Sequence, residues 1–530
     1  MSTTPPLPAP PQPSPPTPTD RLHARLAGAV AGLGGLGVAE LVAAAVRPEA
    51  SPVTAVGAAA IDLTPAPVKE WAIRTFGEAD KAVLQVGIVV VLAAVALLLG
   101  RWELARRGAG AAGAVVLGVV GATAAVSRPD ASAADALPSL VGASAGAALL
   151  YWLVGRVLAA SAASGAPAPA RRRFLLAAGG TAAAAAGAVV LGRALGAGRS
   201  QDAEASRAAL RLPRPDDPAP PRPRGAQLAF PGVAPFITPN KDFYRVDTAL
   251  VVPRIDADRW RLRIHGLGVA DELTLTLRDL LARPVVERDL TLNCVSNEVG
   301  GPYIGTARWT GVRLADLLRE AGVRPPSRGG PADQLVARSV DGMTIGTPVA
   351  DVMDGRDALL AFGMNGEPLP FRHGFPVRML VPGLYGYVSA CKWIEELELT
   401  TFDAYDAYWV RDGWAARAPV KTQSRIDTPR GSARLRAGTV VVAGVAWAQR
   451  RGIERVEVRV DDGPWQRAEL AASDGPDTWR QWYLRWSATP GGHTLAVRAT
   501  DGGGATQTAR RTDIRPDGAT GHHEVRVTVE

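Results

Sequence analysis

The chain has 530 residues, a formal net charge of +8 and only two cysteines, at positions 294 and 391. That length implies several domains. Two cysteines allow one disulfide at most, and the sequence lacks Cys-x-x-Cys, iron–sulfur and Cys-x-x-Cys-His haem motifs. Its basic residues are scattered among acids, with no basic run interleaved with aromatics, which argues against nucleic-acid binding.

Residues 1–20, MSTTPPLPAPPQPSPPTPTD, are Pro-rich without an apolar run and predict a disordered tail. Five apolar segments follow, at about 24–46, 82–100, 109–127, 137–159 and 174–195. Each is near the ~20 residues that cross a bilayer core, so 21–199 reads as an all-α transmembrane bundle. Buried soluble helices are the alternative, and so many uncharged segments in so short a stretch argue against it. Arg21, Arg25, Arg101, Arg106, Arg107 and Arg171 to Arg173 fall on one side if the N-terminus is cytoplasmic. The chain is then a multi-pass cell-membrane protein, and everything beyond the fifth span is extracytoplasmic.

RRRFLLAAGG, Arg171 to Gly180, fits the twin-arginine pattern, an address for export of folded proteins. Folded export suits a chain that acquires a cofactor in the cytoplasm; a plain basic flank is the alternative. None of the six histidines lies within a span, which excludes a bis-histidine haem there. The bundle reads as an anchor or as a docking site for a quinone or redox partner. The segment 58–81 has the character of an amphipathic surface stretch.

Residues 200–225, with LPRPDDPAPPRPRG, predict a semi-extended linker. Between 226 and 415, strand patterns such as WRLRIHGL and ALLAFGM mix with the helical VRLADLLREAG, giving an α+β domain. Neither Gly-x-Gly-x-x-Gly nor a phosphate-binding Gly-x4-Gly-Lys loop occurs, so nucleotide binding lacks support. From 416 to 530, short strands with Gly/Asp/Pro turns (TVVVAGVAWA, IERVEVRVD, WRQWYLRW, HTLAVRATD, EVRVTVE) predict an immunoglobulin-like β-sandwich.

LTLNCVSNEVGG, Leu290 to Gly301, places Cys294 at the end of a strand beside a Gly-Gly-Pro turn. A thiol there is a nucleophile, a metal ligand or an ordinary buried side chain. This stretch, with ITPNKDFYRVDTALVVPRIDADRWRLRIHGL, AFGMNGEPLPFRHGFPVRMLVPGLYGYVSACKWIEELEL and the opening of the C-terminal strands, resembles the sulfite oxidase family of molybdopterin-dependent oxidoreductases. The resemblance covers 236–525 and implies a molybdopterin domain followed by an immunoglobulin-like dimerisation domain.

It implies that Cys294 is the thiolate ligand of molybdenum, a soft donor suited to such a centre. It assigns His373 and Arg378 to pterin and phosphate contacts, an Arg fork matching a phosphate. Asn240, Phe243 and Tyr244 fall on the entry loop that touches the cofactor, and Ala390, Cys391 and Lys392 on a segment near its phosphate. Ser339 is a further contact. The reaction implied is oxygen-atom transfer on a small-molecule substrate. Without a haem or iron–sulfur motif, electrons require an external cytochrome or quinone-linked partner.

The match departs where sulfite oxidases carry basic residues four and five positions after the cysteine: here stand Glu298 and Val299. An acid at an anion site repels sulfite, which points toward members such as the methionine-sulfoxide reductase branch. That branch usually lacks the C-terminal sandwich. The family's active-site tyrosine falls near Met343, and Arg308 is assigned a substrate-side charge. The alternative reading is a cofactor-free binding or scaffold protein that retains the fold. A transport role for the bundle is disfavoured by the scarcity of intramembrane charge.

Overall fold

The computed structural model describes residues 17–65, 68, 71–72, 75–76, 80–128, 131–162 and 167–530. It forms two compact units, one reaching Gln201 and including Ala249–Val251, the other comprising Asp202–Thr248 and Val252–Glu530.

The first unit contains α1 (Pro18–Val46), α2 (Pro52–Leu63), α3 (Asp80–Ala105), α4 (Ala109–Val126), α5 (Leu137–Ala162) and most of α6 (Pro167–Ala209). Helix α1 starts where Thr17 and Asp20 form a capping box: Asp20 N donates to Thr17 Oγ1, and Thr17 N to the Asp20 carboxylate. The tail expected through residue 20 is therefore helical from Pro18, and residues 1–16 lie outside the described residues. Much of the 58–81 stretch also lies outside them, although α2 covers its first residues.

Among the described residues, four helices, Pro18–Val46, Lys81–Ala105, Ala109–Val126 and Ala133–Ala159, are long and apolar enough to cross a membrane. The fifth expected segment forms part of the 43-residue α6, whose apolar stretch, Leu176–Gly192, is shorter. The side chains of Arg171, Arg173 and Phe174 in the twin-arginine-like stretch are outside the described set. Helices α1 and α3 touch backbone to backbone: a Cβ on Gly28 would collide with Ala96 O, and one on Gly100 with Ala24 O. Glycine, lacking a Cβ, is what permits that approach. The buried Glu103 caps α4, accepting from Gly108 N (2.9 Å) and Ala111 N (3.0 Å).

The second unit is sheet-rich. Its first strands are β1 (Arg261–Gly266), β2 (Leu273–Thr276), β3 (Val286–Asn293), β4 (Ile304–Arg313), β5 (Gln334–Ser339), β6 (Thr344–Pro348), β7 (Leu359–Met364), β8 (Glu367–Pro368), β9 (Arg378–Leu380) and β10 (Ile394–Thr400). One sheet has the order β2-β1-β10-β5-β6, with β1 parallel to β10; the other has β3-β4-β7-β8, with β9 also on β7. Apolar alternation on β1 and the wholly buried run LLAFGM on β7 bring Leu262, Ile264, Trp309 and Phe362 into one core. Residues expected to be linker are helical as far as Ala209. The following segment docks on β3, where Asp216 N and Asp217 N both donate to Val285 O.

The C-terminal strands are β11 (Gln423–Thr428), β12 (Arg434–Leu435), β13 (Gly438–Trp447), β14 (Ile453–Val460), β15 (Gln466–Arg467), β16 (Glu469–Leu470), β17 (Arg480–Ala488), β18 (Gly491–Asp501) and β19 (His523–Val529). They make two sheets, β11-β13-β17-β16 and β12-β19-β18-β14-β15, that share a core of Val442, Val456, Trp482, Leu495 and Val497.

Candidate active site

Strands β3 and β4 form an antiparallel pair, and Cys294 is the first residue of the loop between them. Cys294 N donates to Tyr303 O (3.0 Å) and Asn297 N to Cys294 O (3.1 Å). The Asn297 side chain accepts from Tyr303 N at 2.8 Å, so the loop is wound around that buried amide. The thiol is buried and free, and burial raises its pKa above the usual thiol value. It opens onto a cleft of about 110 Å³ shared with Phe243, Tyr244, Ser339, Arg378 and Lys392. Ala390 and Cys391 line the same cleft; Cys391 is also a free buried thiol, its pKa raised by burial.

Two cations line this cleft, both desolvated by burial. Arg378, at the start of β9, is 4 % exposed and donates from Nη1 to His373 O (3.1 Å). Its Nε has no hydrogen-bond partner, and its guanidinium lies 5.0 Å from the Trp309 ring centroid. Burial pushes its pKa down to about 10. Lys392 bonds Asp247 (2.9 Å) and Val246 O (3.1 Å), and burial lowers its pKa to about 8.

His373 sits in a short turn closed by Gly374, whose φ of +108° is one glycine tolerates readily. Its ring is fully buried, and burial holds its pKa at about 3, so it is neutral. Nε2 lies 2.9 Å from the Asn240 carbonyl and must carry the proton, which leaves Nδ1 an acceptor without a partner. Phe243 packs edge-on against His373 and stacks on Tyr244. Burial and the neighbouring Cys294 raise the Tyr244 pKa, keeping its phenol protonated. Ser339, ending β5, buries an Oγ that also lacks a partner.

Most of the sequence-derived residues thus converge, with two differences. Asn240 and His373 stand behind the lining. The Asn240 amide is spent on Met364 O and Glu367, while its carbonyl orients His373. Arg308 does not reach the cleft lining. Directly opposite Asp289 in the β3–β4 register, it forks onto that carboxylate at 2.8 and 2.9 Å. The structure adds Asp247, Asp341, Tyr387 and Trp409 to the lining, and puts Met343 there too. The acids carry no motif signal, and Met343 stands out in the sequence only as the position near which the family's tyrosine falls.

Residues 249–409 match the family described as oxidoreductase molybdopterin binding domain. The mitochondrial sulfite oxidase of Rattus norvegicus is 33% identical over 294 residues, 47% of this chain and 53% of that protein. An NADH nitrate reductase of Oryza sativa subsp. japonica is 34% identical over 200 residues, 33% of this chain and 21% of its own. The chain spans about half the length of the curated sulfite oxidases it matches. Among solved structures, the sulfane dehydrogenase SoxCD of Paracoccus pantotrophus aligns at 27% identity and a TM-score of 0.49, over 57% of this chain and 82% of that one.

Proposed function

We propose that this chain, which matches the oxidoreductase molybdopterin binding domain over residues 249–409 and is 33% identical to a sulfite oxidase over 294 residues, is a molybdopterin oxidoreductase of the sulfite oxidase family that carries out oxygen-atom transfer at a molybdenum centre ligated by Cys294. The observation that carries this is a buried thiol opening onto a cleft lined by two unsatisfied polar groups, with a third behind the lining. Ser339 Oγ, Arg378 Nε and His373 Nδ1 are all buried without partners. Native interiors rarely leave such groups orphaned unless something else supplies the partner. Two donors and one acceptor beside a soft thiol suit a polar, anionic pterin with a metal–sulfur head. Among the described residues no group of three or more His, Cys, Asp or Glu side chains forms a metal site, so further ligands have to come with the group.

In this reading Cys294 ligates the metal, Arg378 and Lys392 neutralise the phosphate, Ser339 contacts the pterin, and His373 supports the pterin side from behind the lining. Asn240 fixes the His373 tautomer, and Phe243 and Tyr244 wall the entry. When bound, the group supplies a metal that cycles between the +6 and +4 states while an oxygen atom is exchanged. The protein orients the group, keeps His373 neutral as an acceptor and holds a protonated phenol, Tyr244, beside the thiol. An external cytochrome or quinone-linked carrier exchanges the electrons.

The substrate is sulfite or a sulfoxide-type compound, and the charge of the cleft favours the latter. Its lining cations, Arg378 and Lys392, are matched in number by Asp247 and Asp341, and Glu298 stands exposed in the cysteine loop. With both cations turned to the phosphate, nothing cationic in the lining is left for an oxyanion.

The apolar helices anchor the chain in the cell membrane, with α6 as a fifth span, the N-terminus cytoplasmic and the second unit extracytoplasmic. Val86, Val90, Val91, Val116 and Val120 on α3 and α4 are exposed, as a lipid-facing surface would be. The C-terminal sheets form the immunoglobulin-like module through which the chain dimerises.

The test is molybdenum per chain, measured by elemental analysis of wild type and Cys294→Ser, with sulfite oxidation and sulfoxide reduction assayed side by side. Near one molybdenum in wild type, with activity lost in the variant, is the expected result. Absence of molybdenum from a host competent to make the cofactor would refute it and leave the scaffold reading.

A further inference from the structure

The cysteine loop is held from outside its own sheet. Strand β3 lies at one edge of β3-β4-β7-β8, and an open edge leaves backbone groups in need of partners. At Thr291, three residues before Cys294, they come from C-terminal segments. Thr291 N donates to Asp477 O (2.9 Å), Gln449 Nε2 to Thr291 O (3.1 Å), and Trp479 N to Thr291 Oγ1 (2.7 Å). Gln449, Trp479 and Thr291 are all buried.

The far side of the loop is held as well. Arg425 of β11 donates from Nη1 to Gly301 O at 2.9 Å, while its Nε is fixed on Asp427 at 2.6 Å. His523, opening β19, packs so closely on Gly300 that a Cβ there would collide with the ring. Gly300 has φ +80°, and the imidazole is itself fixed, Nδ1 accepting from Ile426 N at 3.0 Å. Between these anchors the loop closes on itself through Cys294 N to Tyr303 O, Asn297 N to Cys294 O and Gly301 N to Glu298 O. Fixing Gly300 and Gly301 therefore fixes the backbone that carries the thiol.

We propose that Arg425 and His523 are positioning residues for Cys294. The C-terminal sheets set the conformation of the 294–303 loop and so the place of the thiol in the cleft, besides any role in pairing chains. This deepens the reading of Cys294 as the metal ligand, but it is tested on the thiol itself.

The experiment uses the full-length chain from a host unable to make the cofactor. Iodoacetamide labelling of Cys294 and Cys391 is followed separately by peptide-level mass spectrometry. Loss of a charged hydrogen bond should make the loop open about tenfold more often. Arg425→Ala is then expected to raise Cys294 labelling about tenfold and leave Cys391, in the same cleft but off the loop, unchanged. Arg425→Lys should restore part of the protection, and Gly300→Ala should act in the same direction as Arg425→Ala. If Arg425→Ala does not fold, the other two variants carry the test. An unchanged Cys294 rate, or a rise shared equally by Cys391, overturns the proposal, the latter because it reports general loosening. In molybdenum-loaded chains the Mo(V) electron paramagnetic resonance signal should shift in Arg425→Lys. A wild-type chain that takes up no molybdenum would instead refute the ligand reading and leave the labelling result standing.

Discussion

Replacing Arg378 with methionine should move the cofactor-free and the loaded chain in opposite directions. The guanidinium is buried with one neutral hydrogen bond, to His373 O, and an unpartnered Nε. Its neighbours in the field are a phenol and a thiol, Tyr244 and Cys391, rather than a carboxylate. Displacement of its pKa from 12.5 to about 10 corresponds to burial disfavouring the charged form by on the order of 3 kcal/mol. Methionine fills similar space without that penalty, so the empty chain should be unchanged or more stable by ~1–3 kcal/mol. On the proposed role of Arg378, the same change in the loaded chain would delete charged hydrogen bonds to the phosphate. Each is worth ~1.5–3 kcal/mol, about ten- to a hundredfold in affinity. Urea unfolding of the cofactor-free protein gives the first quantity, and molybdenum retained after gel filtration the second. If the empty variant loses more than about 2 kcal/mol, Arg378 is a structural cation and the reasoning fails; full retention of molybdenum would contradict it equally.

Three further outcomes are expected. His373 and His523 have folded pKa values lowered by burial to about 3 and about 4, so the unfolded chain binds more protons below pH 6.5. Stability should hold above that pH and fall steadily below it, by ~2–3 kcal/mol per histidine at pH 4.5; His523→Asn should flatten the slope in melting temperature against pH, and an unaltered slope would exclude that histidine. Thr291→Val keeps the shape of β3 but leaves Trp479 N buried without its acceptor, costing ~1–3 kcal/mol; a urea midpoint equal to wild type would show that the contact carries no weight. Gly28→Leu should separate α1 from α3, since even a Cβ there collides with Ala96 O. The detergent-solubilised variant should therefore melt well below wild type, while Gly87→Leu, where a Cβ meets nothing, should not.

Much of this architecture is legible because local pattern and tertiary fate agree. The alternation in IERVEVRV and WRQWYLRW yields β14 and β17, with alternate side chains in the C-terminal core. The apolar runs yield the long N-terminal helices. Boundaries fail where a local device outranks composition. Pro18 lies within the Pro-rich run yet starts a helix, because Thr17 and Asp20 cap it and proline suits a first turn. Residues 202–209, charged and ahead of the Pro-rich segment, continue α6, since Ala, Glu and Arg favour helix whatever their polarity.

The site divides the same way. Motif positions whose role is to face one cleft converge: Cys294, Ser339, Arg378 and Lys392 come from four separate parts of the chain. Arg308 fails because its fate is a matter of register. Its distance from Cys294 along the sequence says nothing until the 294–303 loop fixes which β3 residue it faces, and that residue is Asp289. A cation opposite a carboxylate on neighbouring strands pairs with it rather than reaching further. With Arg308 removed from the substrate side, the cleft has no lining cation beyond Arg378 and Lys392. The departure at Glu298 and Val299 then stands uncompensated. If charge near the cysteine loop governs the choice between sulfite and a sulfoxide-type substrate, Glu298→Arg should raise sulfite turnover relative to wild type, and an unchanged rate would refute that role of charge.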